Sequence, residues 1–512
     1  MTLRDLDGDV ELHELPLHVD DLGSGISFHH HRPLRHQGGV HVRRLAAAAS
    51  AVVVGAIAYG AADVADVVPG VLTRDVAADV AQITPGPQPG PVGAVAPAAS
   101  TKAPRPSAGT LARELDPLVE DAWLGRRAGV VVRDALTGEV LYDHRGSAPM
   151  VPASTQKILA GAAVAETSDL SSTMTTRVVT GASADEVVLV AGGDTMIAKG
   201  AGDPTAVEGR AGMRDLARQV ARSLGPEAKG ERLTLRLDAT YAAGPRVPST
   251  WDPTDVTNGF TQAVTMIGLA GERPEPYQPS PRYPERSALS ALRAELTRAG
   301  LDVRVDDSAS TWRTAAPEGA TELGSVESAP LGEVLAEALS SSDNALTENL
   351  TRQAALADGA RSGDAKDVAR WVRSTLTDAG VDMSGTRLLD ASGLSRGQRV
   401  PADTISEVMQ LGITGSAKSL RGVLLGLPVA GFTGTLHERF TEPEAVPAVG
   451  VARAKTGTLT GVSGLAGTTT TADGRVLTYV LLADQVPSTT GTLGARAVLD
   501  EIVGTLTTCG CR

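Results

Sequence analysis

Between Thr84 and Ser107 seven prolines fall within 24 residues, with Gly, Ala and Ser among them. Proline fixes φ and withholds an N–H, so neither helix nor sheet propagates through such a run, and its small side chains cannot build a core. This divides the chain. The stretch 63–107 reads as a linker whose Pro-rich part reaches about 70 Å when extended, and the packed structure is expected after it. Ahead of it, Leu45–Ala62 is an uncharged run of 18 residues, about 27 Å as a helix and at the lower limit for crossing a bilayer. Arg32, Arg35, Arg43 and Arg44 precede that run, whereas Asp63 and Asp66 follow it. The asymmetry predicts one transmembrane anchor at 45–62, a cytoplasmic disordered tail at 1–44 and export of the rest. A buried core helix is the competing reading, but the polar, His-rich flank gives it nothing to pack against. Cleavage after the run would give secretion instead.

Composition narrows the function classes. A chain of 512 residues with 42% hydrophobic and 21% charged residues affords at least one sizeable core. A formal charge of −13 argues against a phosphate-backbone binder, so nucleic acid is not an expected partner. Seven of nine histidines lie in the first 44 residues, leaving His144 and His437, too few for a zinc peptidase; no metal or cofactor is expected. The two cysteines, Cys509 and Cys511, sit in a tail at 509–512, so no disulfide framework supports the fold. Only seven of 47 basic residues are lysines, and only three residues are asparagines.

From Leu111 the pattern becomes globular. Val130–Asp134 and Glu139–Tyr142 flank a Thr137-Gly138 turn and predict a hairpin; Val462–Thr469 and Val476–Ala483 flank Asp473-Gly474 and predict another. Leu493–Leu506 reads as a helix. Strands at both ends with helical periodicity between them suggest an α/β domain whose sheet unites the two termini.

Three short motifs carry chemistry. Pro152 near the first turn of an Ala-rich helix places Ser154 and Lys157 one turn apart on one face. A serine hydroxyl needs a base, and lysine serves only when neutral, which costs an unperturbed lysine about 4.6 kcal/mol at pH 7; burial or a nearby cation must lower its pKa. Arginine could not play this part. Lys455-Thr456-Gly457-Thr458 lies on or beside a sheet edge, where Lys455 supplies a cation, Gly457 allows a ligand backbone to approach and the two hydroxyls hold a carboxylate. An ordinary surface strand with a turn glycine is the alternative. Ser342-Asp343-Asn344 connects helical stretches at Leu331–Leu339 and Ala345–Ala355, either as a proton relay and amide holder or simply as an N-cap.

Taken in chain order, Ser-x-x-Lys, Ser-x-Asn and Lys-Thr-Gly form the signature of active-site serine penicillin-recognising enzymes. The region from about Thr110 to Thr508 resembles the D-alanyl-D-alanine carboxypeptidase/endopeptidase family of class C, low-molecular-mass, type-4 penicillin-binding proteins. Asp390-Ala391-Ser392-Gly393-Leu394-Ser395-Arg396, the run Leu427–Gly431 with Gly434-Thr435-Leu436, and Gly464–Gly467 add to the likeness. Ala391 stands where the family has Gly, and 257–269 matches poorly. The resemblance implies an α/β (α+β) fold, a serine β-lactamase/DD-peptidase-like domain with a mostly antiparallel sheet flanked by helices, in two parts at 108–175 and 321–508. An inserted domain at 176–320 separates them, shorter than in long-insert members. It further implies that Ser154 attacks the bond between two D-alanines of a peptidoglycan stem peptide and that Lys157 accepts its proton. Ser342 relays the proton, Asn344 holds the substrate amide, and Lys455 stabilises negative charge and depresses Lys157. Thr456 and Thr458 grip the terminal carboxylate, with the N–H groups of Ser154 and Thr458 as the oxyanion hole. β-Lactams are implied inhibitors, and the extracytoplasmic side of the envelope is the implied place.

Other classes fit less well. Gly393-Leu394-Ser395-Arg396-Gly397 matches a hydrolase elbow, but Pro401 stops the helix that should follow and His437 is the one remaining downstream imidazole. A class A β-lactamase needs a Glu four residues before an Asn; Thr254, Ser340 and Ala345 occupy those places. A non-catalytic muropeptide sensor that keeps the fold is the alternative outside enzymes.

Overall fold

Alternation of apolar residues along β-branched runs builds ten strands among the described residues, β1 (Ala128–Asp134), β2 (Val140–His144), β3 (Thr175–Thr180), β4 (Glu186–Val190), β5 (Arg232–Asp238), β6 (Asp302–Arg304), β7 (Glu322–Glu327), β8 (Arg453–Leu459), β9 (Val462–Thr470) and β10 (Val476–Ala483). The structure, a computed structural model, describes residues 100, 102–415 and 418–509. The expected anchor at 45–62, the tail at 1–44 and Cys511 lie outside these; among the described residues no helix is long and apolar enough to cross a membrane.

The first sheet has the order β2-β1-β10-β9-β8 and is antiparallel throughout. β1 pairs with β10 over its whole length, Val131 opposite Val480, so strands from the two ends of the domain share one sheet as the hairpin patterns predicted. Its two faces are both covered. Leu477, Tyr479 and Leu481 of β10 pack beneath the helices Ala108–Val119 and Gly491–Thr508, while Val480 and Leu482 face the helices Lys157–Thr167 and Ala402–Ile413. A period of two along one strand thus feeds two cores.

The second sheet, order β6-β5-β4-β3-β7, is mixed: β4, β5 and β6 run parallel, β3 antiparallel to β4 and β7. Its own core joins Val187, Leu189, Leu235 and Leu237 to the helices Met213–Leu224 and Pro284–Arg298. β7 belongs to this sheet, so the second sheet runs past position 320, where the sequence suggested a boundary.

The helix Lys157–Thr167 is buried from Lys157 to Ala165. Its sequence, Lys-Ile-Leu-Ala-Gly-Ala-Ala-Val-Ala, is small and apolar all round, the pattern of a helix enclosed on every side. The lysine at its first position is fully buried with it.

Candidate active site

Ser154 lies in a 3-10 turn, Ala153–Gln156, that feeds directly into the helix beginning at Lys157. The α-helix therefore starts at Lys157, five residues beyond Pro152, where the sequence suggested its first turn. In a 3-10 turn residues i and i+3 nearly eclipse, which brings Lys157 Nζ to 3.0 Å from Ser154 Oγ. Ala153 enters the turn at φ 47°, a left-handed conformation costly for a residue with a Cβ. Gly393, at φ 85°, locks it: a Cβ there would meet the Ala153 carbonyl oxygen at 1.9 Å.

Lys157 Nζ also donates to Asn344 Oδ1 at 2.5 Å and to the Ser392 carbonyl at 2.7 Å. Asn344 opens the helix Asn344–Ala357, and its Nδ2 donates to the Phe260 carbonyl at 2.8 Å, which turns Oδ1 toward the lysine. The Ser392 carbonyl is fixed from behind. Glu348, one turn beyond Asn344, accepts from the Ala391 and Ser392 N–H groups at 2.9 and 2.8 Å. Asp390 accepts from Gly393 N, Ser395 N, Gln398 Nε2 and Trp251 Nε1. Ala391, the departure from the family pattern, tucks its methyl into the core at a φ that needs no glycine.

Burial lowers the Lys157 ammonium to about 8, against the pull of Asp390, Glu348 and Asp343, which raise it. Burial, with the charge of Asp390, pushes Glu348 up to about 7. Lys455 is likewise fully buried and is held well below its ordinary value, first by burial and then by the charge of Lys157. The expectation that Lys455 depresses Lys157 therefore needs correcting in its leading cause. Desolvation by the enclosed helix acts first, and the repulsion between the amines is felt at Lys455.

Lys455 is on β8, the edge strand, as the pattern suggested, and donates to Ser342 Oγ at 2.8 Å and to the Thr456 carbonyl at 2.9 Å. Ser342, at φ 61°, projects from the loop between the helices Leu331–Ser340 and Asn344–Ala357. Asp343 caps the second helix by accepting from Leu346 N at 2.9 Å and also pairs with Arg273, whose Nε lies 2.8 Å away. The capping alternative and the cluster reading describe adjacent residues of one loop. Gly457 does something other than expected. A Cβ there would meet Pro152 O at 2.7 Å and Thr155 N at 3.2 Å, so the chain that approaches it is the Ser154 turn itself. Over the cluster opens a cavity of about 1220 Å³ lined by Ser154, Ser342, Asn344, Thr456 and Thr458, among others.

Seven of the eight residues singled out in sequence thus meet at one place as side chains, and Gly457 as the backbone between them. Sequence reasoning missed Phe260, Arg273, Glu348 and the Ser392 carbonyl. Only Glu348 left a signal, four residues after Asn344 on the same helix face. Ser395 of the elbow-like run is fully buried, its hydroxyl 2.6 Å from Thr250 Oγ1, and the next helix begins only at Ala402, after Pro401, so it does not start on the serine; that reading falls.

A serine hydroxyl against one buried amine, and a second hydroxyl against another, is the arrangement of lysine-assisted, active-site-serine acyl-transfer proteins. The sequence matches the model of the D-Ala-D-Ala carboxypeptidase 3 (S13) family over residues 111–272 and 268–508, and the chain belongs to that family. A carboxypeptidase of Mycobacterium tuberculosis is 36% identical over 434 residues, covering 83% of this chain and 90% of that one. Carboxypeptidase DacB of Mycolicibacterium smegmatis is 35% identical over 413 residues, 80% and 86% of the two chains. The crystal structure of penicillin binding protein 4 from Haemophilus influenzae shares the fold, with a TM-score of 0.60 at 19% identity over 78% of this chain and 98% of that one.

Proposed function

We propose that the protein is a serine-type D-Ala-D-Ala carboxypeptidase of the cell envelope that acts on peptidoglycan stem peptides through an acyl-enzyme and is acylated by β-lactams. The observation that carries this reading is the Lys157 amine, 3.0 Å from Ser154 Oγ and held there by two oxygens that can only accept. Ser154 Oγ attacks the carbonyl between the two D-alanines as Lys157 takes its proton. The proton passes by way of Ser342 to the departing amine, the C–N bond breaks, and water later cleaves the ester to free the enzyme. Asn344 holds the substrate amide, and Thr456 and Thr458 hold the terminal carboxylate. That carboxylate favours charge on Lys455, and a charged Lys455 disfavours charge on Lys157, so substrate itself keeps the base neutral. Family membership supports carboxypeptidase activity; a β-lactam complex of the Haemophilus protein supports β-lactams as ligands.

The domain reading takes 108–175 as the first part of the acyl-transfer domain, 176–320 continued through β7 (Glu322–Glu327) as an insert, and the chain after β7 to 508 as the second part. The uncharged run at 45–62 anchors the enzyme with its catalytic part outside the membrane. Two experiments test the function together. Labelled benzylpenicillin should attach covalently to Ser154, and mass spectrometry should detect D-Ala leaving a purified pentapeptide stem. Cross-linked dimers assayed beside it measure endopeptidase action. Labelling without any released D-Ala would leave a sensor in place of an enzyme.

A further inference from the structure

The loop 390–396 meets the catalytic turn at three points. The Asp390 carbonyl accepts from Gln156 Nε2 at 2.5 Å, Gly393 lies against the Ala153 carbonyl, and the Ser392 carbonyl accepts from Lys157 Nζ at 2.7 Å. Whatever holds this loop therefore holds the amine against Ser154. At its centre is the fully buried Asp390 carboxylate, which accepts four hydrogen bonds. Three of the donors, Gly393 N, Ser395 N and Gln398 Nε2, belong to the same stretch of chain, so they shape the loop without placing it. The fourth is Trp251 Nε1, at 2.9 Å and 139 residues away in sequence.

Trp251 belongs to the insert. It is 4% exposed, within the core of the second sheet that also holds Leu237, Val264 and Met266, and its N–H leaves that core for Asp390. A buried indole N–H without an acceptor is costly, so ring and carboxylate fix one another. Beside it, Thr250 Oγ1 lies 2.6 Å from Ser395 Oγ, a second tie between the same two segments. A few residues further on, the Phe260 carbonyl turns the Asn344 side chain. Both oxygens that accept from Lys157 Nζ, Ser392 O and Asn344 Oδ1, are thus steadied from the 250–260 stretch of the insert, while Glu348 grips the loop from the other side. We infer that Trp251 is a positioning residue for the base: through Asp390 it fixes the loop whose Ser392 carbonyl holds Lys157 Nζ against Ser154, so the insert sets the geometry of proton transfer. The inference rests on the proposed function only for the identity of the base. Removing the indole N–H leaves the charges of Asp390, Glu348 and Asp343 in place, so it changes where Lys157 stands and not how readily it loses its proton.

The test follows acylation of the full chain by labelled benzylpenicillin, taken as the rate constant at saturation per site finally labelled, so that any unfolded fraction drops out. Trp251→Phe keeps a buried ring and removes the donor. It should lower that rate constant by roughly tenfold to a hundredfold, the range of a lost hydrogen bond to a charged group or of a displacement of about 1 Å. The half-saturating concentration should stay within about twofold of wild type, since ground-state binding is untouched. The rise of the rate with pH should remain centred at about 8. Trp312→Phe is the control: it is 3% exposed in the same core and has no bond to the 390–396 loop among the described residues, so it should cost stability and leave the rate constant in place. Should Trp251→Phe not fold, benzothienylalanine at position 251, which keeps the shape of the ring and puts sulfur in place of N–H, makes the same comparison. A wild-type rate constant in the variant, a loss seen only as weaker half-saturation, a shifted pH midpoint at an unchanged plateau, or an equal loss in Trp312→Phe would overturn the inference. A wild type that labels but frees no D-Ala from a pentapeptide stem removes the carboxypeptidase reading and leaves this comparison decisive.

Discussion

Lys157 Nζ touches three groups, and a neutral amine satisfies all of them: two N–H bonds reach Asn344 Oδ1 and the Ser392 carbonyl, and the remaining lone pair faces a hydroxyl that can donate. Arginine has no such lone pair. Lys157→Arg is expected to slow acylation by benzylpenicillin by at least about a hundredfold while melting close to wild type; unaltered acylation would make Lys157 an electrostatic partner only. Glu348 raises Lys157, so Glu348→Gln, which keeps an acceptor for the Ala391 and Ser392 N–H groups, should lower the amine further and move the acid limb of the pH–rate profile to lower pH. A limb that stays in place or moves up would contradict that coupling. The lysines were legible in the sequence because the chain otherwise uses arginine. Glu348 left only its spacing of four from Asn344, because it works from behind a loop, and Ser392 left nothing, because it acts through a backbone carbonyl, which every residue has.

At the scale of elements, the site is a fit between the Ala153–Gln156 turn and β8. Gly457 is where β8 comes against the turn and Gly393 is where the 390–396 loop does, each with a carbonyl oxygen, of Pro152 and of Ala153, where a Cβ would have to go. Gly457→Ala must push β8 off the turn and spoil the spacing of Ser154 from Thr458. It should reduce penicillin acylation by roughly a hundredfold, since a displacement of about 1 Å costs that much, and destabilise the protein by about 1–3 kcal/mol in urea titration. Wild-type acylation in a folded Gly457→Ala protein would mean that β8 does not set the geometry. Both hairpins announced themselves through turn chemistry, Asp473-Gly474 above all. The stretch 257–269 did not. It is irregular, yet Thr261–Leu269 is buried, and its main chain bonds to Asn344, Asn349 and Gly193 far away in sequence. Such a segment is held by its backbone, so its side chains carry no period to read.

Across the whole molecule, β1 and β10 tie the ends of the acyl-transfer part into one sheet, and the second sheet with its separate core enters between them. The sheet joining the termini could be read from two hairpins; the mixed order of the second sheet could not, because parallel pairing is decided by crossovers rather than by turns. With the anchor at 45–62 as proposed, the full chain should sediment with membranes, whereas a chain begun at about residue 100 should be soluble and still label with penicillin; a full chain found wholly in the soluble fraction would count against the anchor. The most direct test of the central claim, that Lys157 receives the Ser154 proton as a neutral amine, is the pH dependence of the rate at which benzylpenicillin acylates Ser154. The rate should climb through about pH 8, where the buried amine loses its proton; a rate that is flat from about pH 6 to about pH 10, still below the roughly 10.4 at which a free lysine deprotonates, would contradict it.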